Sequence, residues 1–208
     1  TLHPLNILLL VGYAFFMRIA IFVDIPPVLN FEFLEPYAKF FLKLPLDNDT
    51  FSTFGNVMTA TVLVIIQALL FNRVVNNHGL LNKPGYLPAL LYVTGSSLFM
   101  PFLILSPALI CNFLLILIMD KLLKINKAPN AMMIIFDIGI IVAVGSLVYF
   151  PFIVMLVMIW LSLVLYRSFN WREWLSGLLG FAMVFFFLAV YYYWKDSIGS
   201  FYKIWLPL

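Results

Sequence analysis

Charged residues are scarce in this sequence. Lys, Arg, Asp and Glu make up 10% of its 208 residues, whereas a soluble domain has about 25%. Apolar residues make up 64%, and the mean hydropathy is +1.07. One globular core cannot bury this much apolar surface, so we expect lipid to cover the remainder. The composition therefore excludes an ordinary soluble domain.

Cysteine and histidine are also nearly absent. Cys111 is the single cysteine, which excludes an internal disulfide and a thiolate metal cluster. The two histidines, His3 and His78, are too few for a zinc or non-haem iron site, which needs at least three convergent ligands. There is no glycine-rich phosphate loop or nucleophile motif, and the net charge of +3 is small and scattered. We therefore expect no cofactor, no metal and no nucleic-acid partner.

The long apolar runs point to helices. Backbone amides in lipid need internal partners, which leaves helices or a closed barrel, and barrel strands would alternate polar and apolar residues. We predict an all-α integral membrane protein in which residues 1–208 form one bundle of about seven transmembrane helices. The predicted spans are Leu5–Val23, Phe54–Asn72, Tyr86–Leu103, Pro107–Leu123, Asn130–Leu147, Pro151–Tyr166 and Trp174–Trp194.

Basic residues predict the orientation of these spans, because cytoplasmic loops carry the excess of Lys and Arg. One side of the predicted bundle has seven: Arg73, Lys83, Lys121, Lys124, Lys127, Arg167 and Arg172. The other side has four, diluted by acids: Lys39, Lys43, Lys195 and Lys203. We therefore predict a cytoplasmic N-terminus and an outer loop over residues 24–53, in an inner-type membrane.

A short motif occurs twice. Gly95-Ser96-Ser97-Leu98-Phe99-Met100-Pro101-Phe102 is followed fifty residues later by Gly145-Ser146-Leu147-Val148-Tyr149-Phe150-Pro151-Phe152. Each copy is predicted to form the outer corner of a helical hairpin, since proline is tolerated in the first turn of a helix. The hairpins, residues 86–127 and 128–173, form a possible tandem repeat. Convergence of short membrane hairpins on small-plus-proline corners is the alternative.

The outer loop contains a predicted amphipathic helix, Leu29–Leu44, lying in the membrane interface. Its charged residues, Glu32, Glu35, Lys39 and Lys43, are spaced three, four and four apart and so share one helical stripe. With Asp24, the two glutamates are the candidate catalytic residues, because outer-face carboxylates can act as general bases or metal ligands. Capping and interfacial solvation are the simpler interpretation.

Four polar side chains lie within predicted spans: Asp137, Asn112, Gln67 and Arg18. Asp137 is a functional candidate because a carboxylate inside the membrane is costly, about 3 kcal/mol on insertion scales. Its structural interpretation is a hydrogen bond to Gln67 or Ser162, or extension toward the basic loops. Arg18 is expected to be an anchor that extends to the outer interface or pairs with Asp24. Asn112 is expected to hydrogen-bond between helices.

Several segments carry a resemblance to a known family. They are Phe71-Asn72-Arg73-Val74-Val75-Asn76-Asn77-His78, Leu87-Pro88-Ala89-Leu90-Leu91-Tyr92, Phe136-Asp137-Ile138-Gly139, Tyr149-Phe150-Pro151, Asn170-Trp171-Arg172-Glu173-Trp174, Gly180-Phe181 and Ala189-Val190-Tyr191-Tyr192-Tyr193-Trp194. From about Phe54 onward the chain resembles a family of uncharacterised multi-pass inner-membrane proteins from Bacteroidetes. The resemblance implies location and architecture, with several further helices, and no mechanism. Some members carry an automatic label as carotene oxygenases, a chemistry that needs a four-histidine iron site.

Three functions are compatible with these observations. We favour a non-catalytic structural or accessory subunit of a cell-envelope complex, such as secretion, motility or export machinery, whose partners are the bilayer and other membrane subunits. One alternative is an enzyme similar to C-type membrane glycosyltransferases, which use lipid-linked donors. The order of a first span, Asp24 and an interfacial helix suggests it. A second alternative is a lipid or ion transporter in which Asp137 couples the flux.

Overall fold

The structure is a computed structural model and describes residues 5–23, 53–125, 131–166 and 170–196. Within these ranges every regular element is a helix and there is no strand, as expected for an all-α protein. The α-helices are α1 (Leu5–Met17), α2 (Ile19–Val23), α3 (Thr53–Asn77), α4 (Leu87–Ser97), α5 (Met100–Leu103), α6 (Pro107–Ile125), α7 (Met132–Val148), α8 (Met155–Tyr166) and α9 (Trp171–Trp194). A 3-10 helix, Phe150–Val154, precedes α8.

Two helices are long and apolar enough to cross a membrane. They are Phe54–Asn77 within α3 and Trp171–Trp194, which is α9, each of 24 residues. At about 1.5 Å per residue, such a helix is about 36 Å long, more than the hydrocarbon thickness of a bilayer. The apolar helices of intermediate length are Leu5–Met17, Met132–Val148 and Phe150–Leu165.

Two helices extend beyond an end of their predicted spans by three or more residues. α3 continues to Asn77 and not to Asn72, and the chain turns just beyond it at Gly79, whose φ is +64°. Glycine adopts this conformation without strain. α9 begins at Trp171 and not at Trp174, because the Asn170 side chain accepts a hydrogen bond from the Arg172 N–H and caps the first turn.

The chain divides into two compact units, and the division falls within α6. Unit 1 contains α1 to α5 and α6 as far as Leu117. In unit 1, the Tyr13 hydroxyl on α1 and the Thr94 hydroxyl on α4 are 2.9 Å apart. The N-terminal halves of the same helices line a groove of 560 Å³. α1 and α4 therefore run in the same direction.

Unit 2 begins at Ile118, and glycines bring two of its helices close together. A Cβ atom on Gly139 of α7 would lie 2.2 Å from the Gly177 carbonyl oxygen of α9. A Cβ atom on Gly180 would lie equally close, 2.2 Å, to the Phe136 carbonyl oxygen. The Ser176 hydroxyl donates to a carbonyl of α7 at 3.1 Å. Contacts advance together along the two helices, from Ser176 on the Met132 carbonyl oxygen to Phe181 beside Gly139. α7 and α9 therefore run in the same direction with their backbones in contact, a packing that larger residues would prevent.

Both copies of the repeated motif have the same local backbone. The helix ends within three residues of the glycine, and one extended residue follows, Phe99 with φ, ψ of −112°, 123° or Tyr149 with −143°, 102°. Proline then lies in the first turn of the next helix in each copy. We call these segments corner 1 (residues 95–102) and corner 2 (residues 145–152). The predicted helix–corner–helix arrangement is present at both.

Candidate functional site

A hydrogen-bonded group of polar side chains lies within unit 1 and is centred on Tyr92 of α4. Gln67 of α3 is fully buried, and its Nε2 donates to the Leu109 carbonyl oxygen of α6 at 2.7 Å. The Tyr92 hydroxyl donates to Gln67 Oε1 at 3.0 Å and is also hydrogen-bonded to the Asn112 side chain. Three helices are thereby joined through one tyrosine. Of the predicted polar residues, Gln67 and Asn112 are brought together here.

Arg18 lies at the break between α1 and α2. Its N–H bonds to the Phe15 carbonyl oxygen at 3.2 Å, and its carbonyl oxygen accepts from the Ile21 N–H at 3.1 Å. These are three-residue hydrogen bonds, which tighten the turn there. The side chain is 1% exposed, so the expected extension to the interface is wrong. Its Nη2 donates to the Phe102 carbonyl oxygen at 2.8 Å, and its Nη1 lies 3.5 Å from the Thr61 hydroxyl.

Asn56, in the first turn of α3, binds the same short segment of chain as Arg18. Its Oδ1 accepts from the Leu105 N–H at 2.9 Å, three residues after the carbonyl that Arg18 holds. In the part of the chain that the structure describes, Asn56 Nδ2 and Arg18 Nε are buried without a hydrogen-bond partner. We call these two N–H groups the donor pair. Buried donors are rarely left unsatisfied, so the pair requires an explanation.

Asp137 is paired with a cation within unit 2. Lys121 Nζ of α6 donates to Asp137 Oδ2 at 2.8 Å. The side chains are 31% and 44% exposed, so solvent screens the pair and its contribution to stability is about 0–1 kcal/mol. Gln67 lies in unit 1, where its amide is bonded to the Leu109 carbonyl oxygen and to the Tyr92 hydroxyl. The pair corresponds to the prediction that Asp137 reaches toward basic residues.

The outer acidic residues lie outside the described ranges. These are Asp24, Glu32 and Glu35, together with the predicted interfacial helix Leu29–Leu44. Among the residues that the structure describes, no group of three His, Cys, Asp or Glu side chains is placed to hold a metal ion.

Sequence reasoning missed Tyr92, Thr61 and Asn56. A signal for Asn56 was present: it lies eleven residues before Gln67, about three helical turns, so both amides were predictable on one face of α3. Tyr92 gave no such signal, because a tyrosine in an apolar run is equally compatible with packing alone.

Comparison of the chain with protein-family models, with curated proteins and with solved structures gives no match. Function is therefore inferred from the geometry of the described residues.

Proposed function

We propose that the chain is a multi-pass integral protein of a bacterial inner membrane, with seven spans and a cytoplasmic N-terminus. Two of its helices have the length and hydropathy for crossing. α1 with α4, and α7 with α9, run in the same direction. When successive spans alternate in direction, the first and third predicted spans run in the same direction, and so do the fifth and seventh. The resemblance to a Bacteroidetes family supports the same location.

The two ends of α9 support the proposal that it crosses the membrane. At its first turn, the Arg172 guanidinium lies 5.9 Å from the Trp171 ring centre, and the rings of Trp160 and Trp174 stack at 6.1 Å. At its other end, Lys195 Nζ lies 5.0 Å from the Tyr191 ring centre. The hydrogen bond to Tyr191 raises the pKa of Lys195, so this end keeps its charge. Aromatic and basic residues at both ends are typical of a helix that crosses between two headgroup layers.

We infer further that the protein is a non-catalytic subunit of a cell-envelope complex, such as secretion, motility or export machinery. One observation carries this inference: none of residues 181–194 of α9 is buried. That half of α9 presents aromatic and aliphatic side chains outward, among them Phe186, Phe187 and Tyr193. We call residues 181–194 the open half of α9. It offers rigid aromatic side chains of the kind that anchor protein interfaces.

The experiment compares two exposed positions that lipid alone would treat equally. A photo-crosslinking residue replaces Phe187, which is 58% exposed, or Val62 of α3, which is 47% exposed. We expect Phe187 to give one protein adduct of defined mass in native membranes and Val62 to give lipid adducts only. Lipid adducts alone at both positions would remove the support for a subunit role.

The transporter alternative depends on Asp137. Lys121 already balances its charge, so the described geometry does not favour a coupling group that must bind and release an ion. We expect Asp137→Asn to leave ion or lipid flux across proteoliposomes unchanged. The glycosyltransferase alternative depends on Asp24, Glu32 and Glu35, and unchanged cell function after replacing all three with their amides would remove it.

A further inference from the structure

We propose that the donor pair, Arg18 Nε and Asn56 Nδ2, binds an oxyanion: the phosphate of a membrane phospholipid, or phosphate from solution. This ligand site is additional to the subunit role. It rests on the proposed insertion in the membrane for the access of a lipid.

Among the described residues, neither donor of the pair has an acceptor. The Phe102 carbonyl oxygen and the Thr61 hydroxyl already face the Arg18 guanidinium, and Asn56 Oδ1 already accepts from the Leu105 N–H. Two buried donors and one positive charge remain. In the described ranges no carboxylate pairs with Arg18. Because a buried charge without a counter-charge is strongly unfavourable, the missing group is an acceptor that carries negative charge.

The chain segment between α5 and α6 is bound by both side chains that carry the donors. Arg18 binds the carbonyl of residue 102, and Asn56 binds the N–H of residue 105. α3 begins at Thr53, so Asn56 lies in its first turn. The N-terminus of a helix carries a partial positive charge, which favours an anion at this position. The charge of the guanidinium, the amide donor and the partial charge of the helix end therefore all favour an anion.

The depth of Arg18 indicates a phosphate. Arg18 is five residues before the end of α2 at Val23, and five helical residues correspond to about 7.5 Å. In the proposed orientation this is just below the outer headgroups, where phospholipid phosphates are concentrated. The planar guanidinium matches two oxygens of such a group. Because both side chains are buried, the contact is poorly screened by water, and we expect the ligand to remain bound during purification.

The first measurement is the phosphorus content of the full chain, purified in detergent without phosphate buffer. We expect about one phospholipid per chain by native mass spectrometry, consistent with one donor pair. Delipidated protein is then titrated with phosphatidylglycerol or with inorganic phosphate, and its melting temperature is followed. A rise with the lipid alone identifies the headgroup as the source, and a rise with both identifies free phosphate as sufficient. No phosphorus and no rise with either would overturn the proposal.

Two variants address the donors separately. Arg18→Gln removes the charge, and Asn56→Asp removes the unsatisfied donor but keeps the acceptor for the Leu105 N–H. We expect each to weaken phosphate binding at least about tenfold, the loss of one hydrogen bond to a charged group. Asn56→Asp is the check if Arg18→Gln does not fold. Lys121→Gln, a cation paired in unit 2, is the control and should bind as the wild type does.

Unchanged binding in both variants would also overturn the site. So would phosphate binding that appears only in an Asp24→Asn variant, because the counter-charge of Arg18 in the wild type would then come from the chain itself. Membrane fractionation keeps this test separate from the proposed function. A chain that stays in the membrane fraction but binds no phosphate contradicts only the anion site, whereas a chain found in the soluble fraction contradicts membrane insertion.

Discussion

At corner 1 and at corner 2 the chain makes the same series of turns. The serine after each glycine donates to the carbonyl three residues earlier, at 3.0 Å for Ser96 and 2.7 Å for Ser146. The phenylalanine that closes each motif donates its N–H to the extended residue, at 3.0 Å for Phe102 and 2.9 Å for Phe152. The serine and the phenylalanine that both copies share therefore make the same local hydrogen bonds at both places.

The surroundings of the two corners differ. A Cβ atom on Gly145 would lie 2.3 Å from the Phe152 ring, whereas one on Gly95 would meet no described atom within 4 Å. Corner 2 closes on itself, and its 3-10 helix leads directly into α8. At corner 1, Ile104 is extended and interrupts the chain before α6. The interruption exposes backbone polar groups that Arg18 and Asn56 bind.

The residues of the motif determine the backbone of the turn, and the surrounding residues determine what each corner contacts. Glycine and proline set the backbone through local sterics, which are the same in both copies. The ring of Phe152 fills the space over its glycine, so corner 2 is an apolar contact. Corner 1 lacks that contact. Instead Arg18, between α1 and α2, binds its Phe102 carbonyl oxygen, and Asn56 of α3 binds the Leu105 N–H just beyond it. Four sets of substitutions test this difference, from the largest expected effect to the smallest.

Replacement of the phenylalanine that closes each motif should give the largest difference in stability between the two corners. Phe152 is 5% exposed, and Phe152→Ala should lower the free energy of unfolding by about 3–4 kcal/mol, the usual cost of a buried Phe→Ala change. Phe102 is only partly buried, so Phe102→Ala should cost about 1–2 kcal/mol. Unfolding by SDS titration in mixed micelles measures both. Equal losses would show that corner 1 is packed as closely as corner 2.

The glycines should respond in opposite directions. Gly145→Ala forces the Phe152 ring to move and should destabilise by about 2 kcal/mol. Gly95→Ala meets open space on a helix and should stabilise by up to about 1 kcal/mol. Melting temperatures of the two variants in one detergent suffice to compare them. A loss of stability in Gly95→Ala would contradict the assigned difference between the corners.

Corner 1 should depend on Asn56. Asn56→Ala leaves the buried Leu105 N–H without its acceptor and should cost about 1–2 kcal/mol. Asn56→Asp keeps an acceptor at the same position and should restore most of that loss. Hydrogen exchange at the Leu105 amide follows the bond directly. Slow exchange in Asn56→Ala would mean that another group accepts this hydrogen bond.

Replacement of the serine after each glycine should have a similarly small effect on stability at both corners. Ser96 and Ser146 donate to carbonyls of their own helices, and such local bonds add little to stability. Ser96→Ala and Ser146→Ala should each change the free energy of unfolding by less than about 0.5 kcal/mol. The same micelle titration applies. A large effect at one serine only would reveal a role between helices at that corner.

Helices were predictable from sequence because the apolar runs and the corner residues are local signals. The break at Arg18 was not, since it accompanies a side chain that turns inward to a carbonyl more than eighty residues away. The same holds for Tyr92, whose partners lie on other helices. The pairing of Asp137 was predicted in kind, toward basic residues, but Lys121 was not named as the partner. These long-range partners depend on how the helices pack, which cannot be read from the local patterns of a single sequence.

The close contact between α7 and α9 has a consequence for biogenesis. α7 is synthesised before α9, and under the proposed insertion in the membrane lipid fills the narrow space beside Gly139 until α9 follows. Helices that insert separately and associate afterwards can accommodate this order. Arrival of α9 then places Gly177 and Gly180 against the backbone of α7. A chain stalled before Trp171 would lack this contact and would leave the backbone of α7 beside Gly139 uncovered.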